Sequence, residues 1–126
     1  MAVTFRYIAT ATPAAPYVYV SLGRPDGARL DDIPAKVDTG ADRTVIPTVL
    51  IERLNPEEVE RREFEGLGGH RVSMPIVRVI VTIRGCASVE VDAAGNDGEP
   101  HILLGRDVLN NFRIVFDGPN AKLEIG

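Results

Sequence analysis

Apolar residues recur at every second position over much of this chain. Phe5 and Tyr7, Val18 and Val20, Val77 through Val79 and Val81 to Ile83, Val89 and Val91, and Ile114 and Phe116 alternate with other residues, and Gly, Pro, Asp or Asn bound the runs. Alternation sends successive side chains to opposite faces of a strand, so the pattern predicts half-buried β-strands. Gly23-Arg24-Pro25-Asp26-Gly27 and Asp117-Gly118-Pro119-Asn120 read as turns between adjacent strands. Proline presets φ there, while glycine and asparagine tolerate positive φ. The expected fold class is all-β.

Two segments break the period. Val49, Leu50, Ile51 and Leu54 are spaced as on a helix, which predicts a short helix near Thr48 to Leu54. Asn55-Pro56-Glu57-Glu58 then reads as a helix start, with a cap, a first-turn proline and acidic residues, and so predicts further helix before residue 64. After Gly105, the spacing of Asp107, Val108, Leu109 and Phe112 predicts one to two helical turns ended by Asn110-Asn111. Glu65-Gly66-Leu67-Gly68-Gly69-His70-Arg71 lies before the long alternating strand that ends at Ile83 and reads as a glycine-rich hairpin tip.

Composition narrows the class. With 126 residues the chain is expected to form one domain over residues 1–126. Hydrophobic content of 44% beside 25% charged residues excludes disordered and fibrous classes. The formal net charge of −4 argues against a nucleic-acid partner, and the densest basic pair, Arg61-Arg62, is flanked by Glu57, Glu58, Glu60, Glu63 and Glu65. No apolar run reaches the roughly 18 residues of a membrane span, and the N-terminal segment lacks the apolar core of a signal peptide. A lone Cys86 forms no intramolecular disulfide, and with two histidines it has no zinc-ligand spacing. These features predict a soluble, cytoplasmic protein without metal or other cofactor.

Candidate chemistry is concentrated in Val37-Asp38-Thr39-Gly40-Ala41, a carboxylate at the end of a short apolar run followed by a hydroxyl residue and a glycine. Asp-Thr-Gly also makes an ordinary turn, and three residues alone are weak evidence of function. A second segment, His101-Ile102-Leu103-Leu104-Gly105-Arg106-Asp107-Val108-Leu109, runs apolar into a glycine and a short helical pattern. Together, and in this order, the two segments resemble the single-lobe retropepsin-like family of aspartic proteases. Val115-Phe116-Asp117 to Lys122-Leu123-Glu124-Ile125 resembles the closing hairpin of pepsin-type lobes.

The resemblance implies a closed β-barrel with a flap hairpin and one or two short helices, acting as an aspartic endopeptidase on extended polypeptides. Asp38, Thr39 and Gly40 match the catalytic motif. One motif per chain implies a homodimer, with Asp38 meeting its mate across a twofold axis and Thr39 interlocking the two loops. Gly40, Ala41 and Asp42 would line the substrate groove, and Leu67, Gly68 and Gly69 would lie in the flap that closes over it. Arg106, after Gly105, matches a supporting arginine that pairs with the acid at the place of Asp42. Val45, Ile46, Leu67 and Ile102 are candidate pocket walls or core residues. A larger insert from Pro47 to Arg62 and the C-terminal hairpin depart from the viral pattern. The alternative is a dimeric peptide-binding or assembly module of the same fold. An intact Asp38-Thr39-Gly40 favours the enzyme, since a pure binder has no chemical need for an acid pair. A cysteine enzyme built on Cys86 lacks a supporting motif.

Overall fold

The computed structural model describes residues 2–126. Ten strands and two short α-helices follow in the order β1 (Val3–Arg6), β2 (Tyr17–Gly23), β3 (Arg29–Val37), β4 (Val45–Pro47), α1 (Thr48–Leu54), β5 (Glu58–Glu65), β6 (Arg71–Ile83), β7 (Ser88–Asn96), β8 (Ile102–Leu104), α2 (Arg106–Leu109), β9 (Ile114–Asp117) and β10 (Lys122–Ile125). Strands β2-β3-β8-β4-β7-β6 are hydrogen-bonded in that order, and β2 pairs with β6 to close a six-stranded barrel. Closure removes the free edges of those six strands. β5 hangs on β6 outside the ring, and β1, β10 and β9 make a separate three-stranded sheet.

The alternating residues fill the barrel. Val18, Val20 and Leu22 from β2 and Val77, Val79, Val81 and Ile83 from β6 are buried, with Ala35, Val37, Ile46, Ile102 and Leu104 from the strands between. Full burial of a Val, Leu or Ile side chain contributes about 1.5–3 kcal/mol. The ion pairs are solvent-exposed, where each contributes about 0–1 kcal/mol, so the core holds the barrel. A bulge between β2 and β3, where Asp32 takes φ 55°, bends the sheet.

β6 changes partners along its length. β7 bonds it only from Ile76 onward, so Arg71–Pro75 are paired with β5 alone and the β5–β6 hairpin projects past the barrel. A 3₁₀ turn at Leu67–Gly69 forms its tip, where Gly68 and Gly69 take φ of 83° and 77°. Those left-handed values explain glycine at both positions. Leu67 is fully exposed. No helix among the described residues is long and apolar enough to cross a membrane.

Asn55 differs from its expected role. It ends α1 in the left-handed conformation (φ 52°, ψ 55°), its N–H bonding the Ile51 carbonyl, and the chain then enters β5 as an extended strand. The Arg24 guanidinium donates to the Leu54 and Asn55 carbonyls, satisfying acceptors at the helix C-terminus. Asn55-Pro56-Glu57 is therefore a helix stop. Asn55→Val is expected to lower stability by about 1–2 kcal/mol, because a β-branched residue resists left-handed φ. Asn55→Gly should change it far less. Urea midpoints at constant m value test this, and equal midpoints for Val and Asn would contradict it.

Candidate active site

Two parallel strands deliver the candidate residues to one end of the barrel. β3 and β8 pair through Ala35–Ile102, Lys36–Leu103 and Val37–Leu104, and the Asp38 N–H continues the ladder to the Leu104 carbonyl at 3.0 Å. β3 then opens into the 38–41 loop while β8 opens into Gly105 and α2. Ala41 N–H donates to the Asp38 carbonyl at 3.2 Å, and Gly40 N–H donates to Asp38 Oδ1 at 3.0 Å. Asp38 is thus aimed by its own turn. Asp38 is half-buried, and no Lys or Arg among the described residues forms an ion pair with it.

Behind that loop sits a polar clasp. Thr44 is the one buried polar residue among those described; its Oγ1 donates to Asp107 Oδ1 at 2.7 Å and accepts the Gly105 N–H at 3.1 Å. Thr44 N–H also donates to the Asp107 carboxylate, at 3.0 Å to Oδ2. Gly105 packs so closely that a Cβ there would lie 2.6 Å from the Arg43 carbonyl carbon and 2.9 Å from the Thr44 nitrogen. Glycine is required by contact, since its φ of −89° is ordinary. Thr44 and Asp107 had no assigned role in the sequence; the hydroxyl six positions after Asp38 and the acid next to Arg106 were the available signals.

Arg106 takes a different partner from the expected one. Its Nη1 donates to the Thr39 carbonyl at 2.8 Å and its backbone N–H to the Ala41 carbonyl at 2.8 Å. No ion pair joins Arg106 to Asp42 among the described residues. Asp107 supplies the carboxylate that anchors the segment after the loop, which leaves Asp42 exposed on an open cleft of about 270 Å³ with Arg43, Glu90 and Asp92. Thr39 and Gly40 are exposed and Ala41 is half-buried. Of the candidate walls, Ile46 and Ile102 are fully buried core and Val45 is half-buried. The structure therefore gathers Asp38 to Asp42, Gly105 and Arg106 at one barrel end, while Leu67, Gly68 and Gly69 sit together on the projecting hairpin tip.

Other candidates are weaker. A larger cleft, of about 380 Å³, lies between β2, β3 and β6 and contains no residue of the 38–41 loop. Its charged groups satisfy one another, Arg29 with Asp31 and Arg84 with Asp32. Burial pushes the Cys86 thiol up, which disfavours the nucleophilic thiolate. His101 stands edge-on to the Tyr17 ring, 5.5 Å between centroids. No group of three or more His, Cys, Asp or Glu among the described residues is placed to hold a metal.

Thr44→Val should cost about 1–3 kcal/mol, because it strands the buried Gly105 N–H and removes a donor to Asp107. Thr44→Ser, which keeps the hydroxyl, should recover most of it. Thermal or urea unfolding reads the difference, and a Val variant as stable as Ser would exclude the clasp as a source of stability.

Comparison with known proteins agrees with this geometry. A family model described as aspartyl protease matches residues 23–108, more than half of the chain. A search of curated proteins finds no match. Among solved structures, a retropepsin-like aspartic protease from Rickettsia conorii is similar at 14% identity and TM-score 0.67, over 99% of this chain and 90% of that one. EIAV protease in complex with the inhibitor HBY-793 is similar at 24% identity and TM-score 0.57, over 77% and 86% respectively. The retroviral protease-like domain of Ddi1 from Leishmania major is similar at 16% identity and TM-score 0.53, over 82% and 81%. The matched span contains both the Asp38 loop and the Gly105 segment that clasps it, and the barrel is shared with these structures: the chain belongs to the aspartyl protease family and has the retropepsin-like fold.

Proposed function

We propose that this protein is a homodimeric aspartic endopeptidase in which two copies of Asp38, one from each chain, activate water against an extended polypeptide. The observation that carries this reading is the Asp38 loop itself. Its acid is partly exposed and without a counter-charge among the described residues, on a loop held by Leu104, Ala41, Gly40 and Arg106, and the chain has one such loop. Asp107 is occupied by Thr44 and so is not a second reacting acid. A second chain supplies it, related by a twofold axis.

Two carboxylates about 3 Å apart repel by about 5 kcal/mol at an effective dielectric of about 20, so the pair holds one proton between them. The ionised member takes a proton from water as the water oxygen attacks the peptide carbonyl carbon. The protonated member gives its proton to the carbonyl oxygen. Collapse of the tetrahedral intermediate breaks the C–N bond, with a proton passing to the departing amine. Arg106 steadies the loop through the Thr39 carbonyl, and Thr39 meets its mate beneath the acids. The Gly40 carbonyl accepts from substrate backbone, with Ala41 and Asp42 beside it. The β5–β6 hairpin serves as the flap, its glycine backbone closing on the peptide as an added strand does.

Asp38→Asn should lower cleavage of an unstructured protein by at least about 100-fold while circular dichroism and gel filtration stay unchanged, since the amide keeps the volume and loses the base. Wild-type specific activity should fall on dilution through the dimer dissociation constant. Equal cutting by the Asn variant, or specific activity constant far below that constant, would sink the shared acid site. Replacing Gly68 and Gly69 together by Val should reduce turnover far more than it shifts the unfolding midpoint, because stiff side chains oppose the left-handed tip and crowd the peptide. Undiminished turnover would mean that this hairpin does not cover the site.

A further inference from the structure

The strand that delivers Asp38 carries a cation on the same face as the acid. Along β3 the alternation buries Ala35 and Val37 and turns Lys36 outward, and the Asp38 N–H, bonded to the Leu104 carbonyl, continues the ladder by one more step. Lys36 and Asp38 therefore lie two positions apart on one face, about 6.6 Å along the strand at about 3.3 Å per residue. The register sets Tyr17 of β2 on one side of Lys36 and Leu103 of β8 on the other, with Val45 of β4 beyond Leu103. All three are half-buried. In the next row Pro34 faces Tyr19, and His101, two positions before Leu103, stands edge-on to the Tyr17 ring. A largely apolar and aromatic surface thus runs beneath the acid loop, and a lysine stands in the middle of it. Lys36 is exposed and forms no ion pair among the described residues, whereas Arg29, Arg62, Arg78 and Arg84 each hold a carboxylate.

We infer that Lys36 selects an acidic side chain, Asp or Glu, at the residue flanking the bond that is cut. This rests on the peptidase reading of Asp38 and names the substrate class of that same site. The peptide carbonyl has to lie within about 3–3.5 Å of the water that Asp38 activates. An extended peptide places its residues about 3.3 Å apart and sends successive side chains to opposite sides. The flanking side chain that turns toward the barrel wall then comes down on the outward row beside Asp38, where Lys36 stands. Lysine ends a flexible four-carbon stem in a compact charge with three donors, so it reaches a carboxylate on either the shorter or the longer acidic side chain. Tyr17 and Leu103 flank that stem, and a hairpin closed above it would keep water out and strengthen the pair. A basic side chain in the same place sets ammonium against cation, and an apolar one leaves the lysine charge covered and unpaired. The twofold axis puts one Lys36 on each side of the bond, so acids are accepted at both flanking positions. Asp42 opens onto the separate cleft with Arg43, Glu90 and Asp92, which contains no residue of this row.

Mass-spectrometric mapping of the cuts made in an unstructured protein by the full chain tests this selection. Wild-type cuts should be enriched in flanking Asp and Glu, and cuts by Lys36→Glu in flanking Lys and Arg. On a peptide built around one mapped cut, with Glu or Lys at the flanking place, wild-type kcat/KM should favour Glu by about tenfold or more, since juxtaposed like charges are costly. Lys36→Met, which keeps the stem and loses the charge, should bring that ratio close to one, and Lys36→Glu should invert it. Added salt should shrink the wild-type preference. Wild-type cuts without flanking acids, or the same ratio in wild type and in a folded Lys36→Met or Lys36→Glu, would overturn the role of Lys36 and leave the peptidase reading standing, because cleavage itself persists. A wild type that cuts nothing would overturn both.

Discussion

One buried hydroxyl ties together segments of this chain that lie 61 to 63 positions apart. Thr44 Oγ1 gives its proton to Asp107 and receives the Gly105 N–H, while the Thr44 backbone adds a bond to the same carboxylate. Each partner is buried or half-buried, so each bond replaces one that water would otherwise make, and losing the hydroxyl strands a donor in a dry place. Gly105 lets the two backbones touch. With the clasp in place, Arg106 is delivered to the Thr39 and Ala41 carbonyls, and the Asp38 loop is held from behind while its acid faces outward. The aim of Asp38 depends on a contact that Asp38 does not make.

The rigid base and the open rim divide along the same line. Closed barrel strands and a filled core support the loop, whereas the β5–β6 hairpin has lost its β7 neighbour by the time it reaches its glycine tip. Such an extension has few contacts to restrain it, as the flap role proposed for this hairpin requires. The outer edge of β9 is open as well, with no strand beside it among the described residues. In the homodimer proposed here, a single chain presents half of an acid pair, and twofold symmetry completes it.

Much of this was legible in the order of residues. Alternation located β2, β6, β7 and β9, and the turns at Pro25 and Pro119 fell between paired strands. β4 and β8, three residues each, are too short to show a period, yet their pairings link β3 to β7 within the barrel. Asn55-Pro56-Glu57-Glu58 suits a helix start as well as a helix stop. Arg24, 30 residues earlier in the chain, helps secure the stop through the Leu54 and Asn55 carbonyls, and local pattern carries no trace of that. The Asp38 motif was visible because its chemistry is contiguous. The Thr44–Asp107 clasp was not, because it joins two residues by distance in space alone, and Arg106 was matched to Asp42 when a backbone carbonyl was the partner the fold supplied.

Subunit mixing probes the central claim, that one active site needs an Asp38 from each of two chains. Wild-type protein is held at a fixed concentration near its dimer dissociation constant, and cleavage of an unstructured protein is followed while folded Asp38→Asn chain is added in increasing excess. Mixed dimers with a single acid then replace wild-type dimers, and the rate should fall toward zero as the excess grows. A rate indifferent to the added variant would contradict the account, because it would show that each wild-type chain cuts with acids of its own.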